Sequence, residues 1–245
     1  LSALVTYLYR TKHFLRIQRH ELGYLRVDLR ILRALVAKGV PMGLQMIVVS
    51  LGMIVMISLV NGFGSLTTAA YGASLQLWNY IQMPAFAVGQ AVSAMAAQNV
   101  GARKWDRVTR VALIGVLYNF LLTGFLVSIV YAFSEHALSL YLTDDAAIAV
   151  ARHINHIILW SYMLFGVSFV LAGVIRATGA VIPPLVILFF AVWVVRIPFA
   201  YTLIPRFGAD AVWWSFPLGS VISLFLSTLY FRYGAWRDAK MLPTT

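Results

Sequence analysis

The 245-residue sequence has no cysteine. That absence removes disulfides, thiolate metal sites and thiol nucleophiles from consideration. Charge is also scarce: Asp, Glu, Lys and Arg make up 11% of the residues, where soluble domains carry about 25%. Acid is the scarcest class, with 8 Asp+Glu against 19 Lys+Arg and a formal net charge of +11. From Gly39 to Ala102 there is not one Lys, Arg, Asp or Glu. With 61% apolar residues and a mean hydropathy of +0.84, the composition excludes an ordinary soluble domain and points to a bilayer. The positive balance is therefore not read as a nucleic-acid surface, and no nucleic-acid partner is expected.

What is present is a series of apolar helices. A bilayer core about 30 Å thick takes about 20 apolar residues at ~1.5 Å each. The uncharged run breaks at the turn cluster Asn61–Ser65. Six complete spans are expected, at about 40–60, 68–97, 111–134, 153–175, 181–204 and 211–231, forming a six-helix membrane lobe over 39–234. The opening LSALVTYLY (1–9) has no basic n-region and no small-residue cleavage site. It reads as the tail of a membrane helix that starts upstream, so the sequence reads as the later portion of a longer protein. Residues 10–38 read as a basic, amphipathic cytoplasmic linker with Asp28 as a helix N-cap, and 235–245 as a cytoplasmic tail.

Sixteen of the 19 basic residues fall before span one, between spans two and three, after span four and after span six. Excess Lys and Arg mark cytoplasmic segments. Both ends of the segment and those two loops are thus expected in the cytoplasm, in a multi-pass protein of the cell inner (plasma) membrane.

Polar and breaking residues within the spans supply the candidate site. Met42, Met46, Met53 and Met56 share one sector of span one beside Gln45, and Gln76, Asn79, Met83, Phe86 and Gln90 form a stripe on span two. Such faces are either plain core or the wall of an adaptable cavity. Gln45, Met46, Met53, Asn79, Met83 and Gln90 are the cleft candidates. Pro41, Pro84 and Pro198 interrupt helices and are hinge candidates, an inert packing kink being the alternative. Small residues recur every fourth position as Ala85, Gly89, Ser93, Ala97 and as Ser215, Gly219, Ser223, Ser227, which suits close helix packing.

Arg196 is the one deep charge, and it has three readings: binding an anionic group, pairing with a carboxylate elsewhere, or snorkelling to the outer interface. His153 and His156 lack a third ligand nearby, so no metal site is expected. No span contains Asp or Glu, and neither a nucleophile elbow nor a phosphate-binding glycine loop occurs, so an enzyme is not expected.

Several segments together resemble the C-terminal lobe of the multidrug and toxic compound extrusion (MATE) family. LRILRALVAKGVP (29–41) is similar to the family's basic linker and Gly-x-Pro start. The stretch 69–110 resembles its second lobe helix, with a mid-helix Met-Pro, Gly89-Gln90-Ala91 and Gln98-Asn99-x-Gly101-Ala102 before basic residues. LYLTDDAAIAVARHI (140–154) and GVIRATGAVIPP (173–184) are similar to the entry into its fourth helix and the turn that follows. The resemblance implies one lobe of a two-lobed, twelve-helix antiporter. Such a protein exports lipophilic or cationic organic compounds against protons or sodium by alternating access, with no cofactor. Its partners would be small organic substrates, the bilayer and a missing N-terminal six-helix lobe. Acidic residues that some sodium-coupled members carry are absent here, around Val48-Val49-Ser50 and Phe165-Gly166. The resemblance then implies coupling through a carboxylate in the other lobe. A lipid-linked precursor flippase of the same superfamily and a non-transporting membrane scaffold remain alternatives.

Overall fold

The computed structural model describes residues 6, 7, 9–11 and 27–239. Most of the expected helix tail over 1–9, linker residues 12–26 and the end of the expected tail lie outside the described residues. The chain divides into two compact units, Leu1–Ala37 and Lys38–Thr245. In the first, Asp28 Oδ1 accepts hydrogen bonds from the amides of Arg30 at 2.8 Å and Ile31 at 3.4 Å, satisfying amides that have no partner inside the helix.

All regular structure among the described residues is helical. Helix α1 spans Leu29–Asn61, α2 Ser65–Gly101, α3 Trp105–Ala132 and α4 Ser134–Ser139. Helix α5 spans Asp145–Ile158, α6 Ser161–Ala177, α7 Ile182–Phe207 and α8 Ala209–Tyr233, followed by a 3-10 turn at Ala235–Asp238. Helices α1, α3, α7 and α8 are each long and apolar enough to cross a membrane, and α5 with α6 makes a fifth such unit if taken as one bent span. Helix α2 has 37 residues, and its apolar run is diluted by Gln, Asn, Ser and Gly. It packs against α3, α5 and α6, so much of its surface meets protein.

Three expected boundaries change. The end of the expected linker, from Leu29, and the expected span from residue 40 are one continuous helix, α1, with Pro41 well inside it. The expected span 153–175 is two helices, α5 and α6, bent by 47°. At that bend the Ser161 hydroxyl donates to the Ile158 carbonyl at 2.7 Å, and the Tyr162 amide reaches back only three residues, to Leu159. These contacts take up carbonyls freed by the bend. The expected span 181–204 is α7, which holds a wide π-helical segment, Phe190–Arg196. Pro198 follows it. Its ring lacks an N–H and crowds the carbonyl four residues back in a regular helix, and a wider turn relieves that crowding.

Within Lys38–Thr245, two clusters form the interior. One holds Met56, Tyr71, Trp78, Ile154, Trp213 and Phe216, and the other Val92, Ala96, Val108, Val174 and Trp236. Lipid tails are as apolar as these side chains, so close packing and hydrogen bonds hold the helices rather than expulsion from water. The crossing of α2 and α6 is correspondingly tight. Ser93 Oγ donates to the Gly173 carbonyl at 3.0 Å, and a Cβ on Gly173 would lie 3.2 Å from the Gly89 carbonyl oxygen. On α8 the small residues Ser215, Gly219, Ser223 and Ser227 are all buried. On α2 the expected stripe is divided, with Ala85 and Gly89 buried and Ala97 exposed.

Candidate functional site

The site is built around Arg196, the last residue of the π segment of α7. Its guanidinium lies 3.3 Å from the centroid of the Phe216 ring, a cation–π contact supplied by α8. Its stem passes Gly219, one turn along α8, where a methyl group would sit in ordinary contact, 3.5 Å from Arg196 Cβ and Cδ. Tyr71 on α2 meets the same Phe216 ring at 6.4 Å, and Tyr162 on α6 joins it through Trp78. Four helices therefore supply this cation and the rings about it.

The surrounding rings form a continuous aromatic cluster. Tyr71 stacks on Trp213 at 5.6 Å and meets Trp78 edge-on at 5.6 Å. Trp78 meets Phe216 at 5.5 Å and Tyr162 at 5.8 Å. The Trp78 indole N–H donates to Asn155 Oδ1 at 2.8 Å, which anchors the cluster to the end of α5. The buried side-chain nitrogens and oxygens without a hydrogen-bond partner, among the described residues, are Tyr71 Oη, Asn155 Nδ2 and Arg196 Nε and Nη2. All belong to this cluster. Unpartnered polar atoms cost roughly 1–3 kcal/mol each, so their concentration at one place calls for a functional account.

Arg196 is half-buried as a residue, and its Nε and Nη2 are enclosed rather than extended to an interface. Nor does any described carboxylate pair with it, since the two described ion pairs are Arg152–Glu135 at 3.7 Å and His153–Asp210 at 2.8 Å. Both join chain segments near the α4–α5 and α7–α8 turns.

The cleft candidates do not gather around Arg196. Asn79, Met83 and Gln90 are exposed along one face of α2, and Met46 is exposed on α1, with Met83 and Met46 at 65% and 74%. Met53 is half-buried, and Met56 is fully buried. Gln45 instead faces the bundle. Its Oε1 accepts from Arg176 Nη1 at 3.4 Å and its Nε2 donates to the Pro184 carbonyl at 3.5 Å. Arg176 also lies 5.4 Å from the Phe169 ring centroid. Helices α1 and α2 run unbroken through Pro41 and Pro84, and Pro198 lies just past the π segment. Tyr71, Trp78, Asn155, Tyr162 and Phe216 were not among the sequence candidates. Their one sequence signal is the spacing of Tyr71 and Trp78, two helical turns apart on one face.

A helical membrane lobe with a cation whose Nε and Nη2 are buried and an exposed Met/amide face on α2 defines a class, a polytopic membrane protein suited to transport. Residues 41–202 match the MatE family, and the chain belongs to that family. It is 39% identical over 240 residues to the probable multidrug resistance protein YoeA of Bacillus subtilis (strain 168), covering 97% of this chain and 52% of that protein. The probable multidrug resistance protein YpnP of the same organism is 32% identical over 209 residues, covering 85% and 47% respectively. A crystal structure of a MATE in complex with MaL6 superposes with a TM-score of 0.84 at 15% identity, covering 94% of this chain and 52% of that one. An outward-facing multidrug resistance MATE family transporter superposes at 0.71 and 22% identity, covering 86% and 47%. The chain spans about half the length of the relatives it matches.

Proposed function

We propose that the chain is the C-terminal half of a secondary antiporter in the plasma membrane. This protein exports lipophilic, mostly cationic organic compounds in exchange for protons or sodium by alternating access. The observation that carries the reading is a helical lobe that aligns with half of each matched transporter, in a chain 39% identical to a probable multidrug resistance protein. The coupling carboxylate belongs to the other half, because the acids of the described membrane helices, Asp106, Asp145 and Asp210, sit only in their first turns and an ion-coupled cycle needs a titratable or cation-binding group at membrane depth. The exposed Asn79, Met83 and Gln90 face of α2, with Met46 of α1, then becomes part of the cleft wall. Methionine's flexible, polarizable side chain suits ligands of unlike shape.

The test is efflux by the full-length protein. Expression in a strain lacking its other pumps should lower steady-state ethidium accumulation severalfold. In proteoliposomes, added substrate should drive proton or sodium movement. Efflux without ion movement overturns antiport. No efflux, together with altered lipid-linked cell-wall intermediates in a deletion strain, favours the flippase reading, to which the enclosed Arg196 guanidinium lends one point of support.

A further inference from the structure

Resting on the transport reading, we propose that Arg196 and Tyr71 form an intramembrane subsite for a carboxylate carried by a transported amphipathic compound. The unpartnered atoms of Arg196 are Nε and Nη2, which form one side of the guanidinium fork. That edge matches the two oxygens of a planar carboxylate with parallel hydrogen bonds, a geometry a spherical ion does not use as well. Tyr71 Oη, also buried and unpartnered, supplies a further donor.

The walls fit the rest of such a compound. In this conformation Trp78 packs on Tyr162 and Phe216, and parting of the helices would free flat, polarizable ring surface for fused rings. The guanidinium is held in place through Phe216 and the packing of its stem against α8, so an incoming acid meets a preoriented donor. The described acids of these helices, Asp106, Asp145 and Asp210, lie in first turns, and none pairs with Arg196 among the described ion pairs.

In this conformation the donor edge is closed, and access requires the helices to part. Two features beside it lower the cost of that movement: the π segment that ends at Arg196, and Pro217 next to Phe216 within α8. Both are places where helix hydrogen bonding is already irregular or incomplete.

Rhodamine B and rhodamine 6G provide the test. The first carries a free carboxylate and the second a closely related cationic dye framework with that group esterified. Binding is read by fluorescence anisotropy on the full-length protein in detergent, and transport by dye movement in proteoliposomes. Arg196→Gln should weaken rhodamine B binding about tenfold while changing rhodamine 6G by less than about twofold. Arg196→Lys should recover part of the loss, because it keeps the charge without the fork. Tyr71→Phe, which removes only a hydroxyl, should weaken rhodamine B alone by a smaller factor.

Equal losses for both dyes would overturn the proposal, since the guanidinium would then serve the fold or pair with a carboxylate elsewhere in the protein. Unchanged binding in every variant would overturn it too, as would a wild-type protein that does not bind rhodamine B. Selective loss of rhodamine B binding in a protein that transports neither dye would count against antiport and support the carboxylate subsite.

Discussion

Gly166 shows how one missing atom sets a buried polar contact. A Cβ there would collide with Asn119 Oδ1, and this carboxamide donates from Nδ2 to the Ala85 carbonyl at 2.8 Å and accepts from Thr123 Oγ1 at 3.2 Å. Gly166→Ala should therefore displace a fully buried amide and destabilise the lobe by about 1–3 kcal/mol, visible as a lower melting temperature in detergent. Combining it with Asn119→Ala should recover part of that loss, because the clash disappears with the amide. Strictly additive effects would show that the two residues do not compete for space. Trp78 offers a second case. Its N–H is the partner of Asn155 Oδ1, and Asn155 Nδ2 already lacks one. Trp78→Phe should leave the whole carboxamide unpaired and cost roughly 1–3 kcal/mol from the polar group alone, again read by thermal unfolding. The sequence marks Arg196 as a deep charge from its place in an apolar run. It does not show which way the side chain faces, because rotation about a helix axis is set by packing, here against α8, α6 and α1.

At the scale of elements, irregular backbone matters more than the prolines that first draw attention. Helix positions follow from hydropathy because the bilayer imposes one length and one polarity on every span. The α5–α6 bend is invisible to that reading. Apolar composition continues through Leu159-Trp160, and the bend is held by a Ser161 hydroxyl whose role depends on geometry. The π segment of α7 is equally hidden, although Pro198 gives its physical cause in retrospect. Pro198→Ala restores the missing N–H and lets α7 regularise. Closing a π turn to an α turn rotates the residues before it by a fraction of a turn, which would move Arg196 relative to Phe216. The expected result is a protein that folds with equal or higher melting temperature but loses most of its efflux. Full efflux would show that the wide turn is only a packing adjustment. Helix α2 ends with a different irregularity: Arg103 has φ 57°, a left-handed conformation that side chains disfavour. Arg103→Gly should relieve that strain by up to about 1 kcal/mol, less the entropy glycine adds to the unfolded chain. A small rise in melting temperature is therefore expected, and a fall would mean that the Arg103 side chain contributes more than its backbone costs.

Across the whole molecule, the charge asymmetry becomes an arrangement of ends. Lys38 Nζ donates to the Gly179 carbonyl at 2.7 Å, and Thr178 Oγ1 donates to the Trp236 carbonyl at 2.7 Å. Trp105 meets Trp236 at 6.2 Å. The start of the membrane lobe, the α2–α3 turn, the α6–α7 turn and the C-terminal 3-10 turn thus lie together, and they carry Arg103, Lys104, Arg107, Arg176 and Arg237. The ion pairs Arg152–Glu135 and His153–Asp210 join segments of the opposite loops, where acid is at least as common as base. An anionic cytoplasmic leaflet attracts the first set, at about 1 kcal/mol for each basic residue near the surface. The basic end is accordingly expected to face the cytoplasm. The absence of cysteine from the sequence gives this a clean test, once any cysteine elsewhere in the full-length protein has been replaced. Arg107→Cys and Asn61→Cys place single thiols at exposed positions on opposite ends of the lobe. A membrane-impermeant maleimide should label Asn61→Cys in intact cells and leave Arg107→Cys unlabelled, and inside-out vesicles should reverse the pattern. Labelling of Arg107→Cys from outside would invert the topology. It would also place Arg176 and Lys38 on the outer side, against the charge distribution that first suggested the orientation.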